Sequence, residues 1–283
     1  MINHIHIDSL LPTEMAKKAE DVGLNKANLD FWTLLALSVL AGAFIGLGAI
    51  FATTVSTGGT ALPYGVNRLL TGLTFCLGLI LVIVGGAELF TGNTLIIMGF
   101  MSGKVPFIKL LRNWGIVYLG NLIGSVLTAL TMFLTKQYTF ASGAIGLNIL
   151  NIAESKCKLD FLQAIMLGLI CNALVCLAVW LTFSAGTTTD KILAILFPIT
   201  AFVAAGTEHS VANMYFIPIG LMVKNFGGAG FFENIGKTAL DFPNLTLGNF
   251  FLENLLPVTI GNIIGGAVMV GLIYWFVYLR KKH

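Results

Sequence analysis

GAELFTGN at residues 86–93 and GTEHSVAN at residues 206–213 share the pattern G-x-E-x-x-x-x-N. Each falls inside an apolar stretch broken by a single acid. Runs 69–87 and 89–103 are parted only by Glu88, and runs 192–207 and 209–223 only by Glu208. A membrane-crossing helix needs about 20 apolar residues. Neither pair of runs is long enough for two crossings with a loop between them. Each is therefore read as one crossing interrupted near its middle. A second echo follows: GNLIG at Gly120–Gly124 and GNIIG at Gly261–Gly265. Two motifs repeated in the same order indicate a duplicated three-helix unit. Three is odd, so the second unit enters the membrane from the opposite face, and the repeat is inverted.

The rest of the chain agrees with a membrane reading. Of its 283 residues, 57% are hydrophobic and 10% charged, with mean hydropathy +0.89. A soluble domain carries about 25% charged residues. A soluble enzyme is excluded on that ground, and disorder by the abundance of apolar surface. Long charge-free runs place helices over about 31–55, 107–135, 160–186 and 253–279. With the two broken helices this predicts an all-α polytopic protein of six spans. Residues 1–30 form an amphipathic segment in which Pro12 precedes Met15, Ala16, Ala19 and Val22. Residues 31–279 form one channel domain, with one repeat over about 31–135 and the other over about 160–279. The N-terminus has neither a basic region nor an apolar core, so it does not read as a signal peptide.

Basic residues orient the spans. Lys17, Lys18, Lys26, Lys104, Lys109, Arg112, Lys191, Arg280, Lys281 and Lys282 fall on the side of the termini. Lys136, Lys156, Lys158, Lys224 and Lys237 fall on the other. That excess places both termini in the cytoplasm of a cell whose inner membrane holds the chain. The cysteines Cys76, Cys157, Cys171 and Cys176 form no CxxC pair. With only His4 and His6 near the terminus as further ligands, neither a metal nor a cofactor is expected.

The breaks are where chemistry is expected. Interrupted helices expose backbone N–H and C=O groups at membrane depth, tolerated only against protein or a polar path. Matched breaks in two halves of a repeat point to a substrate path, and half-helix N-termini suit an anion. Glu208 and His209 stand together at the second break. An imidazole there can hydrogen-bond an anion or pass it a proton. Asn213 lies four residues on, on the same helical face. Thr91 and Asn93 are the polar groups of the first break, where Glu88 is read as capping freed backbone. Asn172, mid-span in GLICNALVCL, either bonds a neighbouring helix or faces the path.

GTEHSVANMYFIPIG, GGAELFTGNTLIIMG and NLLPVTIGNIIGG together resemble the formate/nitrite transporter family, and most of all its formate channels. The likeness runs from SLLPTEMAKKAE to YWFVYLRKK. It implies an aquaporin-like protomer and a homopentamer in the lipid bilayer, each subunit with its own pore for a small anion. It implies that His209 projects into that pore with Thr91 as polar partner. Asn172, Asn213 and Glu208 would line it, and Lys156 would add positive potential. The family's apolar constrictions correspond to Phe75, Leu79, Leu89, Phe90, Val175 and Phe202. Leu89 to about Asn93 would be a mobile loop, and the N-terminal helix is linked to gating. After LFT the chain reads Gly92–Asn93, a form closer to the nitrite and hydrosulfide branches. Formate is the first expectation, with nitrite or hydrosulfide as the alternative, and passage is expected to depend on pH through a protonated His209. An aquaporin would need paired NPA motifs, and an intramembrane enzyme an HExxH or GxSG motif; the chain has none of these.

Overall fold

The computed structural model describes residues 10–280, so His4, His6, Lys281 and Lys282 lie outside the described residues. Within them the chain is helical, without strands. Helix α1 (Pro12–Ala27) opens with Pro12 at its first turn, where proline's missing N–H costs nothing. It buries Met15, Ala16 and Ala19 and ends in the sequence KANLDF. Helix α2 (Phe31–Ser56) starts on Asp30, whose carboxylate accepts the N–H groups of Trp32 and Thr33, each at 3.0 Å. Then come α3 (Tyr64–Gly85), α4 (Phe90–Met101) and α5 (Phe107–Leu134).

The second half follows the same order. Helix α6 (Ala144–Cys157) ends in KCKLDF, and α7 (Phe161–Ser184) follows Asp160 as α2 follows Asp30. Helices α8 (Thr188–Ala204) and α9 (Ser210–Phe226) flank the second break, α10 (Ala229–Ile235) is short, and α11 (Leu247–Tyr278) closes the chain. Five helices are long and apolar enough to cross a membrane: α2, α3, α5, α7 and α11. The chain is a multi-pass membrane protein.

The first break is not central. Helix α3 has 22 residues and α4 is much shorter, whereas α8 and α9 have 17 each. The charge of Arg68 makes the apolar run seem to begin at 69, but α3 starts a turn earlier, at Tyr64 after Pro63. Arg68 is tolerated inside the helix because main-chain carbonyls of Val203 and Ala204 accept its guanidinium. Helix α11 begins at Leu247 rather than at 253. It contains two π segments, Phe250–Leu255 and Ile264–Leu272. Such wide turns recur where a helix must aim side chains inward.

Both breaks are made the same way. Gly86 (φ 79°) ends α3 and Gly206 (φ 74°) follows α8, each in the left-handed region that only glycine adopts freely. Ala87 then donates to Val82 O and Thr207 to Phe202 O. The chain runs extended through Leu89 and His209, with φ/ψ of −106°/126° and −113°/113°, before the next helix begins.

The halves also pack alike. Helix α2 lies against α3 and α5, as α7 lies against α8 and α11. A Cβ at Gly124 would strike Val39 O and sit 3.0 Å from Ala43 N; one at Gly265 would strike Leu169 O and sit 3.1 Å from Ala173 N. Backbone meets backbone there, as small residues permit in membranes. Gly124→Ala and Gly265→Ala are each expected to cost about 1–3 kcal/mol through overpacking. Gly115→Ala on the same face-forming helix α5 meets nothing within 4 Å and should leave stability unchanged or raise it. Thermal unfolding of the three variants in detergent checks this, and equal midpoints would reject it.

Candidate anion path between the broken helices

Two asparagines hold the breaks. Asn121 Oδ1 accepts the Phe90 N–H at 2.9 Å, while its amide donates to Ser38 O at 2.7 Å and Glu88 O at 2.9 Å. Asn262 Oδ1 accepts the Ser210 N–H at 2.9 Å, while its amide donates to Gly168 O at 2.8 Å and Glu208 O at 3.0 Å. Each residue thus ties a long helix, the break and the start of a half-helix together. Interhelical bonds of this kind contribute about 0.6 kcal/mol each in a membrane. Without them, the freed backbone groups would be unpaired in hydrocarbon at several kcal/mol apiece. The first N–H of each half-helix is consequently occupied, which narrows the expectation that these termini face an anion.

Two buried ionic quartets flank the breaks. Lys26 Nζ lies 2.7 Å from Glu88 Oε1 and donates to Asn93 Oδ1 at 3.0 Å; Asn93 in turn donates to Glu88 Oε2 and Asn113 Oδ1. Lys156 Nζ lies 2.9 Å from Glu208 Oε1; Asn213 donates to Glu208 Oε2 and Asn254 Oδ1. Lys26, Asn113 and Asn254 were not among the sequence candidates. The signal for Lys26 is the repeated K-x-x-L-D-F, Lys26–Phe31 and Lys156–Phe161, which extends the repeat back into α1. Asn113 and Asn254 carry no motif of their own.

At the centre, His209 Nε2 lies 2.9 Å from Thr91 Oγ1. His209 Nδ1 accepts the Ala212 N–H at 3.0 Å. A backbone N–H is always a donor, so Nδ1 holds a lone pair and the proton sits on Nε2. The imidazole therefore donates to Thr91, whose own hydroxyl hydrogen has no other partner among the described residues. One face of the ring stacks on Phe202, centroids 5.9 Å apart. This geometry is that of a neutral ring, not the imidazolium expected from the sequence: a second proton on Nδ1 would oppose the Ala212 N–H.

The path has three parts. A cavity of about 300 Å³ beside α1 is lined by Lys18, Lys26, Leu79, Glu88, Leu89 and Lys191, among others. A cavity of about 410 Å³ on the other side of the breaks includes Asn67, Arg68, Phe75, Lys156, Phe202, Glu208, His209 and Asn213. Between them lies a gap of about 10 Å³ walled by Ile45, Phe75, Leu79, Leu89, Val175, Ile199, Phe202 and His209. Leu79 and Leu89 are shared with the first cavity; Phe75, Phe202 and His209 with the second. A single water needs roughly 10–15 Å³ by this measure, so in this conformation the gap is shut to anything larger.

Six of the eight wall residues fall in pairs, and Phe75 and Phe202 stand outside them. Ile45 and Val175 occupy corresponding places in α2 and α7, Leu79 and Ile199 in α3 and α8, and Leu89 and His209 in the two breaks. Ile45 and Ile199 were absent from the expected constriction, although the repeat itself carries Val175 to Ile45 and Leu79 to Ile199. Phe90 is a correction. It does not line the gap; its ring packs edge-on against Tyr118 and Trp114, because its N–H is fixed by Asn121 and its side chain points to α5. Asn172 does not line a cavity either. Its amide donates to Thr91 O, Thr94 Oγ1 and Asn262 O, locking α7 to both breaks.

Comparison with known proteins places this geometry in context. The sequence profile described as formate/nitrite transporter matches residues 13–276. The chain is 43% identical to the formate channel FocA of Escherichia coli K12, over 97% of this chain and 96% of that one. It is 39% identical to the formate channel FocA of Haemophilus influenzae, again over 97% and 96%. A solved pentameric formate channel with formate bound superposes with TM-score 0.84 at 45% identity, covering 88% of this chain and 98% of that one.

The quartets set a stability test. Lys156 and Glu208 side chains are only 15% and 7% exposed, and orphaning one member of a buried pair costs about 3–5 kcal/mol. Lys156→Met should lose that much in chemical denaturation in micelles. Adding Glu208→Gln should recover more than half of it, and a double variant no better than the single one would show that the two are not coupled.

Proposed function

Because the chain belongs to the formate/nitrite transporter family, we propose that it is a channel for small monovalent anions, formate first, with one pore through each protomer. The observation that carries this reading is the apolar gap closed by Leu89 and His209 between two cavities that contain lysine and arginine. The contact-for-contact correspondence of the halves supports an inverted repeat and an aquaporin-like protomer. The excess of lysine and arginine on the side of the termini supports a cytoplasmic location for both, in an inner membrane. The first cavity then opens to the cytoplasm and the second to the outside. By analogy with the pentameric relative, five copies assemble, each complete as a pore.

The chemistry follows from the wall. A bare carboxylate cannot cross an apolar ring without losing its hydration, a cost of many kcal/mol. Desolvation favours the neutral form of a carboxylic acid. The relay Ala212 N–H to His209 Nδ1, then Nε2–H to Thr91 Oγ1, polarises the Thr91 hydroxyl and leaves its hydrogen for an anion that enters once the gap widens. An anion held there, half out of water, takes a proton that arrives as hydronium through the adjoining cavity, which releases water, and passes as the neutral acid. The substrate leaves unchanged: the reading is transport without chemical conversion. Asn93 spends its amide on Glu88, Asn113 and Lys26. The Gly92–Asn93 departure therefore alters a quartet rather than the gap, and it does not favour nitrite or hydrosulfide over formate.

Passage requires the gap to widen, so the Leu89 segment or the His209 ring must move. His209→Phe removes the donor to Thr91 and keeps the apolar volume. Formate uptake into proteoliposomes by the wild type should rise as pH falls between about pH 8 and 5, as more protons reach the held anion, and the variant should lose most of that uptake at every pH. Uptake by the variant equal to that of the wild type would reject the role of His209. Competition by nitrite and hydrosulfide at two pH values tests the choice of anion.

A further inference from the structure

We propose that Arg68, not Lys156, supplies the uncompensated positive charge that gathers anions in the second cavity; this rests on the anion-channel reading above. Three ionised side chains line that cavity: Arg68, Lys156 and Glu208. Lys156 and Glu208 stand 2.9 Å apart. At that separation they act on a distant solute as a dipole, and their charges cancel. Arg68 has no carboxylate within 4.0 Å among the described residues. Its acceptors are carbonyls: Nε donates to Ala204 O at 3.2 Å, and Nη2 to Val203 O. These are the last carbonyls of α8, whose terminus carries about half a negative charge. That half offsets part of the guanidinium and leaves the remainder.

Geometry adds to the charge. The guanidinium has five N–H donors, and Nη1 has no acceptor among the described residues. Val203 and Ala204 directly follow Phe202, which walls the gap. Arg68 is thus anchored one residue from the constriction, on a low-dielectric wall that focuses its field. Its charge persists at every working pH, which a lysine's need not when buried. The first cavity uses a related device: Lys18 donates to Phe183 O at 2.8 Å near the end of α7. There too a cation is held by helix-terminal carbonyls rather than by a carboxylate.

Arg68 also caps α8, so the experiment must separate charge from structure. Initial formate uptake by the full-length protein in proteoliposomes is measured against formate concentration for wild type, Arg68→Gln and Arg68→Lys. At low ionic strength, Arg68→Gln should raise the half-saturating concentration about tenfold with little change in maximal rate. Arg68→Lys should restore it. Impermeant salt at about 1 M on both sides, where the Debye length is about 3 Å, should erase the difference. A shift that survives high salt, or that lysine does not repair, would assign Arg68 a structural role only and overturn the proposal. So would equal half-saturation for wild type and Arg68→Gln at low salt. If Arg68→Gln does not fold, Arg68→Cys capped with a cationic or a neutral thiol reagent replaces it. The four native thiols are buried, and equal rates with the two caps would overturn the proposal. A wild type that carries no formate, nitrite or hydrosulfide would fail the channel reading itself, whereas an active wild type matched by its neutral variant fails only this one.

Discussion

A chain that stops being a helix inside a membrane must find partners for the peptide groups it frees. Asn121 and Asn262 meet that demand. Each amide accepts the first N–H of a half-helix and donates to two carbonyls, one on a neighbouring long helix and one in the break. Everything else at the centre is placed by these two side chains. They hold Glu88 and Glu208 where the quartets form, and Leu89 and His209 where the gap closes. Asn172, bonded to Asn262 O and to Thr91 O, carries the constraint from one break to the other.

Satisfying the backbone in this way frees few groups for a solute. The peptide N–H of Phe90 and of Ser210 is taken, Asn93 is spent in its quartet, and the charges of Lys26 and Lys156 are answered by carboxylates. What walls the gap with hydrogen-bonding capacity is the imidazole of His209, and behind it lies the Thr91 hydroxyl that this ring positions. A narrow apolar passage with a single donor discriminates by size and by the ability to shed charge rather than by a matched set of contacts. The cavities on either side hold the cations.

The breaks are legible in the sequence because charge is so scarce. Glu88 and Glu208 stand out against long apolar runs, and the shared G-x-E-x-x-x-x-N makes them a pair. His209 and Thr91 are legible as polar groups at those breaks, and they do meet. The quartets are only half legible. Asn113 and Asn254 sit among other polar residues at helix ends, with nothing local to mark them. Lys26 hides in a segment that reads as surface, and only its K-x-x-L-D-F echo reveals a partner. Apolar lining residues are the least legible, since an isoleucine facing a gap and one facing lipid are chemically alike. Ile45 and Ile199 emerge only once the repeat's spacing is applied, and Phe90 misleads because neighbours in a break point to opposite sides. The uneven first break is hidden by Arg68, a charge that a helix interior accepts when carbonyls receive it.

Leu89 and His209 hold equivalent posts in the two halves, one aliphatic and one able to hydrogen-bond. The two halves give the passage a similar though unequal outline from either end, with about 300 Å³ on one side and about 410 Å³ on the other. The difference in kind at that rung gives chemistry to a single flank. A solute travelling outward and one travelling inward climb the same hill and meet the same imidazole at its crest. The direction of net flow therefore belongs to the gradients across the membrane, and the protein contributes the height of the crest.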